Sequence, residues 1–127
     1  MTKSELALSL FHDEKDPYNC AQSVLCAFAE QYGLTHADAK RMAARFGRGM
    51  SIGSTCGTVT GALMVLGLAG ADPALANKFT SRFTAEAGSL RCPELLIRAR
   101  EAGEVQKDHC SRMIALSISI LEDLLTG

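Results

Sequence analysis

Stretches of alternating apolar and polar residues are nearly absent from this chain of 127 residues, which excludes a strand-rich fold. An excess of one charge is also missing. Lys and Arg number 13 and Asp and Glu 14, a formal net charge of -1, so nothing provides general attraction to nucleic acid or to an anionic membrane. No apolar run is long enough to span a bilayer. Val59 to Ala71, the most apolar segment, is broken by small or polar residues, whereas a spanning helix needs about 20. It reads as a buried helix, with no membrane insertion. Met1 to Leu10 has one lysine, an early glutamate and no sustained apolar stretch, unlike a secretory signal, and the expected location is cytoplasmic. Low-complexity tracts, internal repeats and linkers are absent, and no Ser/His/Asp set or carboxylate pair can be assembled. The chain also lacks Cys-x-x-Cys and Cys-x-x-Cys-His, which removes the signatures of thioredoxin-like and zinc-ribbon sites and of covalent haem attachment.

What is present is the balance of a folded domain, 47% apolar and 21% charged. The length suits one domain, 1–127, with a core that needs no disulfide or metal. Helical signals dominate and predict an all-α, single-domain bundle of six or seven helices. The first runs from Ser4 to about His12. The second starts at the cap Asn19 and ends at Tyr32, with Gly33 as left-handed cap and Val24, Leu25, Phe28 and Tyr32 facing inward. Thr35 and Asp38 announce a third helix that turns Ala39, Met42, Ala43 and Phe46 inward and stops at Gly47. Ser54 or Thr55 caps a fourth, to about Gly70. Asp72-Pro73 opens a fifth, to Ala87 before Gly88, and Cys92-Pro93 opens a sixth, to about Arg100. The last spans about Asp108 to Leu125, with Met113, Leu116, Ile120, Leu121 and Leu124 apolar. The basic run Lys40, Arg41, Arg45 and Arg48 reads as a solvated face.

Four of the five cysteines share one address on this map. Cys20, Cys56, Cys92 and Cys110 each fall in the cap or first turn of a predicted helix. A helix N-terminus carries about +0.5 of an elementary charge and unpaired N–H groups. Both favour thiolate over thiol, so lowered cysteine pKa values are expected there. Four convergent termini would supply roughly +2, against about -2 for a four-thiolate zinc site or an oxidised iron–sulfur cluster. Cys26 lies in a helix interior, about 120° around from Cys20, and reads as a small core residue. The separations of 36, 36 and 18 residues mean that any site must be assembled by folding.

Gly57 and Gly61 stand four apart after Cys56, a one-face groove that admits another backbone or a bulky inorganic group at about 1 kcal/mol each in helix propensity. The preceding loop, Gly47 to Gly53, is a poor phosphate cradle, because no strand leads in and no Gly-Lys-Ser/Thr follows. It reads instead as a mobile flap beside Cys56, with Arg48 adding positive potential. His109 reads as an exposed residue at a helix start, with a role as base or ligand left open, and His12 and His36 as surface residues.

Asn19-Cys20-Ala-Gln-Ser, Phe46-Gly-Arg-Gly-Met50, Cys56-Gly-Thr-Val-Thr-Gly61-Ala-Leu-Met-Val-Leu-Gly67, Cys92-Pro-Glu-Leu-Leu96 and the late Cys110 together resemble the C_GCAxxG_C_C family, whose theme is redox activity. The resemblance runs from about Tyr18 to Cys110 and into the last helix. It implies that Cys20, Cys56, Cys92 and Cys110 are the hallmark cysteines, with Gly57 and Gly61 beside them and no role for Cys26. Thr58 departs from the family's alanine. The family is similar to the cluster-bearing part of split-Soret cytochromes, which implies an iron–sulfur cluster but, without a haem motif, no haem.

Three functions are compatible with these residues. In the first, the four cysteines ligate an iron–sulfur cluster and pass single electrons without a substrate pocket. In the second, they carry out thiol–disulfide chemistry as catalytic residues, as an enzyme or otherwise. In the third, they bind zinc and stabilise a helical interaction module. The partner implied by the first two is a redox protein of unknown identity. Apolar helices with few aromatics are compatible with a homodimer.

Overall fold

A computed structural model of the chain describes residues 1–126; Gly127, the last residue of the expected domain range 1–127, lies outside them. Seven α-helices follow one another among the described residues: α1 (Lys3–Phe11), α2 (Cys20–Phe28), α3 (His36–Met42), α4 (Gly57–Leu68), α5 (Pro73–Ala87), α6 (Cys92–Glu101) and α7 (Gln106–Thr126). The fold is all-α, as the periodicity predicts.

The bundle is organised around α2. Every residue from Ala21 to Phe28 is buried, so this helix is enclosed rather than one-sided. It packs on α1, α3, α4 and α7, and most closely on α4. That closeness has a local cause. A Cβ at Gly61 would stand 2.8 Å from the Ala21 carbonyl oxygen and 3.2 Å from its Cα, and one at Gly57 would stand 3.1 Å from the Ala21 nitrogen. Only glycine lets the two backbones meet here. The long α7 closes the core with Met113, Ile114, Ile118, Ile120 and Leu121, and α5 adds Phe79 and Phe83, stacked with centroids 6.0 Å apart.

Caps fix where the helices begin. The Asn19 side chain accepts from the Gln22 amide at 2.8 Å while the Gln22 side chain accepts from the Asn19 amide at 2.9 Å, a reciprocal capping box. Asn19 Nδ2 also donates to the carbonyls of Ala43 and Ala44, and Gln22 Nε2 to that of Lys40. The start of α2 is thereby tied to the end of α3. Asp72 caps α5 ahead of Pro73, and Gly88 ends it at φ 94°.

Several boundaries differ from the sequence expectation. The second helix loses α geometry after Phe28 and finishes as a tighter 3₁₀ turn, Ala29–Tyr32, before Gly33 at φ 85°. The third stops at Met42, and Met42 is exposed rather than inward, because the Asn19 side chain takes up the carbonyls that a further turn would use. Cys56, not Ser54 or Thr55, is the N-cap of α4. Arg91 takes that place in α6, and α7 begins two residues early, at Gln106.

The segment Gly47 to Gly53 is a tight left-handed coil rather than an open flap. Arg48, Gly49, Met50, Ser51 and Gly53 all have φ between 55° and 67°. For the three non-glycine residues this costs roughly 1 kcal/mol or more each. Hydrogen bonds hold the coil shut: Met50 N to Phe46 O at 3.2 Å, Ser54 N to Gly49 O at 2.8 Å, and Ser51 Oγ to Arg45 O at 2.6 Å.

Candidate functional site

Cys20, Cys56, Cys92 and Cys110 line one small cavity. Each comes from a different helix, and the reason they meet is largely main-chain. Residues 54–56 and 90–92 run antiparallel and form a single β-bridge between Thr55 and Arg91. Cys56 N donates to Leu90 O at 2.7 Å, and Cys92 N to Ser54 O at 2.8 Å. These two bonds set Cys56 and Cys92 side by side at the starts of α4 and α6. Cys20 arrives through the α2–α4 crossing: a Cβ at Gly57 would lie 3.2 Å from the Cys20 Cβ. Cys110 is the fifth residue of α7, slightly deeper in its helix than expected, and its thiol joins that of Cys20 on the wall of the same cavity.

Cys56 is buried, whereas Cys20, Cys92 and Cys110 are half-buried. All five cysteines of the chain are free thiols. Cys26 lies elsewhere, in the core at 3% exposure. Gly57 also lines the cavity; Gly61, one turn on, meets the Ala21 backbone instead and governs the spacing of α2 from α4.

The electrostatics depart from the simple helix-dipole expectation. The Cys20 thiol is pushed far up, first by donating its hydrogen bond to Cys110, then by burial and by the other three sulfurs. Cys110 is held below its ordinary value by accepting that bond. Together the pair gives up one proton readily and holds the second. Burial pushes Cys56 up, against the Thr58 hydroxyl and the amides of Thr58 and Val59. Burial, then the charges of Cys56 and Cys110, push Cys92 up. The N-terminal amides do favour the Cys56 thiolate, but taking the group out of water outweighs them. Lowered pKa values are thus found only at Cys110. Four thiolates could coexist here only against compensating positive charge.

Three further residues shape the surroundings. Thr58, fully buried, shares a 3.2 Å hydrogen bond with the Cys56 sulfur, and Ser117 Oγ donates to its carbonyl. His109 is buried at 4% exposure and lines the cavity, contrary to the exposed position expected. It sits four residues before buried Met113, on the same helix stripe. Its Nδ1 faces Glu104 at 3.5 Å but has no hydrogen-bond partner among the described residues. Glu104 is gripped by Arg112 through two bonds of 2.9 and 3.1 Å. Burial holds the His109 pKa below its ordinary 6.5, with Glu104 opposing, so the ring is neutral near pH 7. His36 is half-buried and bonded to the Tyr18 hydroxyl at 2.8 Å; His12 is exposed. The basic run is mostly a solvated face, with Lys40 paired to Asp16 and Arg41 to Asp38. Arg48 departs from it and lines the cysteine cavity.

The inner cavity is small, about 20 Å³. It adjoins an open cavity of about 870 Å³ that shares Cys20, Cys92, Cys110, Arg48 and Leu96 in its wall. Among the described residues, no three or more His, Cys, Asp or Glu side chains are grouped so as to hold a single metal ion. The donor set itself is that of a thiolate-ligated group: four cysteine sulfurs about one cavity, with no carboxylate in its wall. No helix among the described residues is long and apolar enough to cross a membrane.

A family model described as "Putative redox-active protein (C_GCAxxG_C_C)" matches residues 18–124. Neither a curated protein nor a solved structure matches the chain.

Proposed function

Because this chain belongs to the C_GCAxxG_C_C redox-active family, we propose that Cys20, Cys56, Cys92 and Cys110 are the ligands of an iron–sulfur cluster. The observation that carries this reading is the convergence of four thiols, from the starts of four helices, on one cavity. A cluster of several atoms would need room beyond the inner 20 Å³, and the adjoining cavity, whose wall shares Cys20, Cys92 and Cys110, offers it. When bound, it supplies one-electron transfer.

The chain's own groups then have separable tasks. The 54–56/90–92 bridge fixes two of the ligands by backbone hydrogen bonds. The amides of Thr58 and Val59 and the Thr58 hydroxyl stabilise negative charge on the Cys56 sulfur. Leu95 and Met113 line the inner side and keep water from it. Cys20, Cys56 and Cys92, pushed up by burial and by neighbouring sulfurs, would give up their protons in holding a cationic group.

Anaerobic purification followed by reconstitution tests the reading. Bound iron, acid-labile sulfide and visible absorption are expected. Each of C20S, C56S, C92S and C110S should lose most of it, and C26S should not. Colourless, iron-free protein after reconstitution would refute the proposal.

The Cys20 and Cys110 thiols share one cavity and strongly perturb each other's titration, which favours a second reading, thiol–disulfide exchange. The two thiols would join as a disulfide, releasing two protons and passing two electrons to an acceptor disulfide on a partner. Mass spectrometry after mild oxidation decides it: the loss of two hydrogens localised to a Cys20–Cys110 peptide pair supports exchange, and persistent free thiols exclude it.

A further inference from the structure

The family assignment carries a redox theme and no ligand, and no motif in the chain marks a substrate pocket. The fold nevertheless builds a cavity of about 870 Å³ against the cysteines, within the 300–1,000 Å³ typical of small-molecule sites. Its wall has two chemistries. Phe11, Leu96 and Val105 supply apolar surface, and Arg48 and Lys107 supply the charge. No Asp or Glu belongs to the wall, although the chain as a whole carries 14 acidic against 13 basic residues. Apart from the cysteine sulfurs, the charge in this wall is therefore all cationic, on a protein that is not.

Arg48 gives the second, independent observation. It stands at φ 55°, the left-handed region in which a glycine would rest without strain. Met50 and Ser51 share this conformation, but of the three only Arg48 is in the wall of the two cavities. An arginine at this point keeps a strained backbone and gains a guanidinium on the wall of both the inner cavity and the mouth. Strain retained beside a site points to work done by the side chain. Guanidinium is the group suited to paired hydrogen bonds with a planar carboxylate. Val105 remains 65% exposed in the lip of the cavity, available to an apolar body entering from solvent.

We propose that the open cavity over Cys20, Cys92 and Cys110 is a binding site for a small amphipathic carboxylate, its anionic end held by Arg48 and Lys107 and its apolar body laid against Phe11, Leu96 and Val105. The proposal rests on the cysteines forming one centre, since its ligand lies against that centre, and it adds the class of molecule that the centre meets.

Calorimetric titration with 4-phenylbutyrate and with its neutral amide, on the anaerobically purified protein, tests it. The carboxylate is expected to bind about tenfold or more tightly than the amide, the scale of one charge-assisted contact. Arg48→Gln with Lys107→Gln should erase that preference while weak amide binding persists. Val105→Trp, at an exposed position, should weaken both probes. Arg48→Gly should reduce the preference to the part that Lys107 supplies and also raise the melting temperature, because it relieves the left-handed strain; a folding defect would give the opposite shift. Equal binding of the two probes, absence of binding by either, or an unchanged preference in the double variant would overturn the proposal. Iron and sulfide assayed on the same samples report the cluster separately, so loss of the cluster and loss of the carboxylate site are read independently.

Discussion

Replacing Gly61 and Gly67 by alanine, one at a time, should move stability in opposite directions. Both lie in α4, so each substitution should gain about 1 kcal/mol of helix propensity. The surroundings then decide the sign. A methyl at Gly67 meets nothing within 4 Å, and the position is exposed. Gly67→Ala should therefore keep most of that gain, raising the melting temperature by about 2–4 °C for a domain of this size. A methyl at Gly61 would lie 2.8 Å from Ala21 O, 3.2 Å from Ala21 Cα and 3.3 Å from Val24 Cβ. The first two are backbone atoms of a helix buried on all sides, which cannot step aside as a side chain would. Overpacking of this kind costs about 1–3 kcal/mol, and separating α2 from α4 along their whole contact adds to it. The net for Gly61→Ala is a loss of about 1–2 kcal/mol, or a melting temperature lower by roughly 3–8 °C. Thermal and urea denaturation of the two variants beside the parent measure this directly. If both variants were stabilised alike, the close α2–α4 crossing, and with it the placement of Cys20 against Cys56, would be refuted.

Three other outcomes follow from the same geometry. On reconstituted protein, Thr58→Val removes the hydroxyl bonded to the Cys56 sulfur and should lower the reduction potential by about 40 mV, taking about 1 kcal/mol for the bond and one electron; a redox titration with no shift would deny Thr58 that role. Burial pushes the Cys26 thiol up to about 11 from its ordinary 9.0, so its contribution to stability is complete below pH 9 and declines as pH rises toward 11. Cys26→Ala should therefore lose less stability than the parent between pH 8.5 and 10.5, with a difference approaching about 2 kcal/mol, and Cys26 should resist iodoacetamide at neutral pH. His109, held below 6.5 by burial, supports the fold above that value and withdraws support as pH falls beneath it. His109→Gln should unfold with a shallower pH dependence between 7.5 and 5.5 than the parent; parallel curves would mean the imidazole is not buried neutral.

Much of this architecture can be read from periodicity and punctuation. Asn19, Asp72-Pro73, Gly33 and Gly88 mark real helix ends because capping is local chemistry. The redox family was legible in the order of cysteines and glycines. What local reading misses are effects imposed from a distance. The end of α3 is set by Asn19, more than twenty residues earlier. His109 appears exposed if only its charged neighbours are considered, although the Met113 stripe four residues on would have placed it inward. The cysteine pKa values run against the dipole argument because burial is a property of the assembled fold. Gly47 to Gly53 reads as loose from its composition, and only the hydrogen bonds of Ser51, Met50 and Ser54 reveal a fixed coil. The mouth over the cysteines has no sequence signature, since its wall comes from five separate segments.

The antiparallel contact of residues 54–56 with 90–92 has a consequence for how this chain tolerates change. Amide and carbonyl groups are common to every residue type except proline, which lacks the donor. Ser54, Thr55, Leu90 and Arg91 can therefore be exchanged widely while sulfurs 56 and 92 stay where they are. Divergence can run up to the very edge of the site and leave its spacing intact.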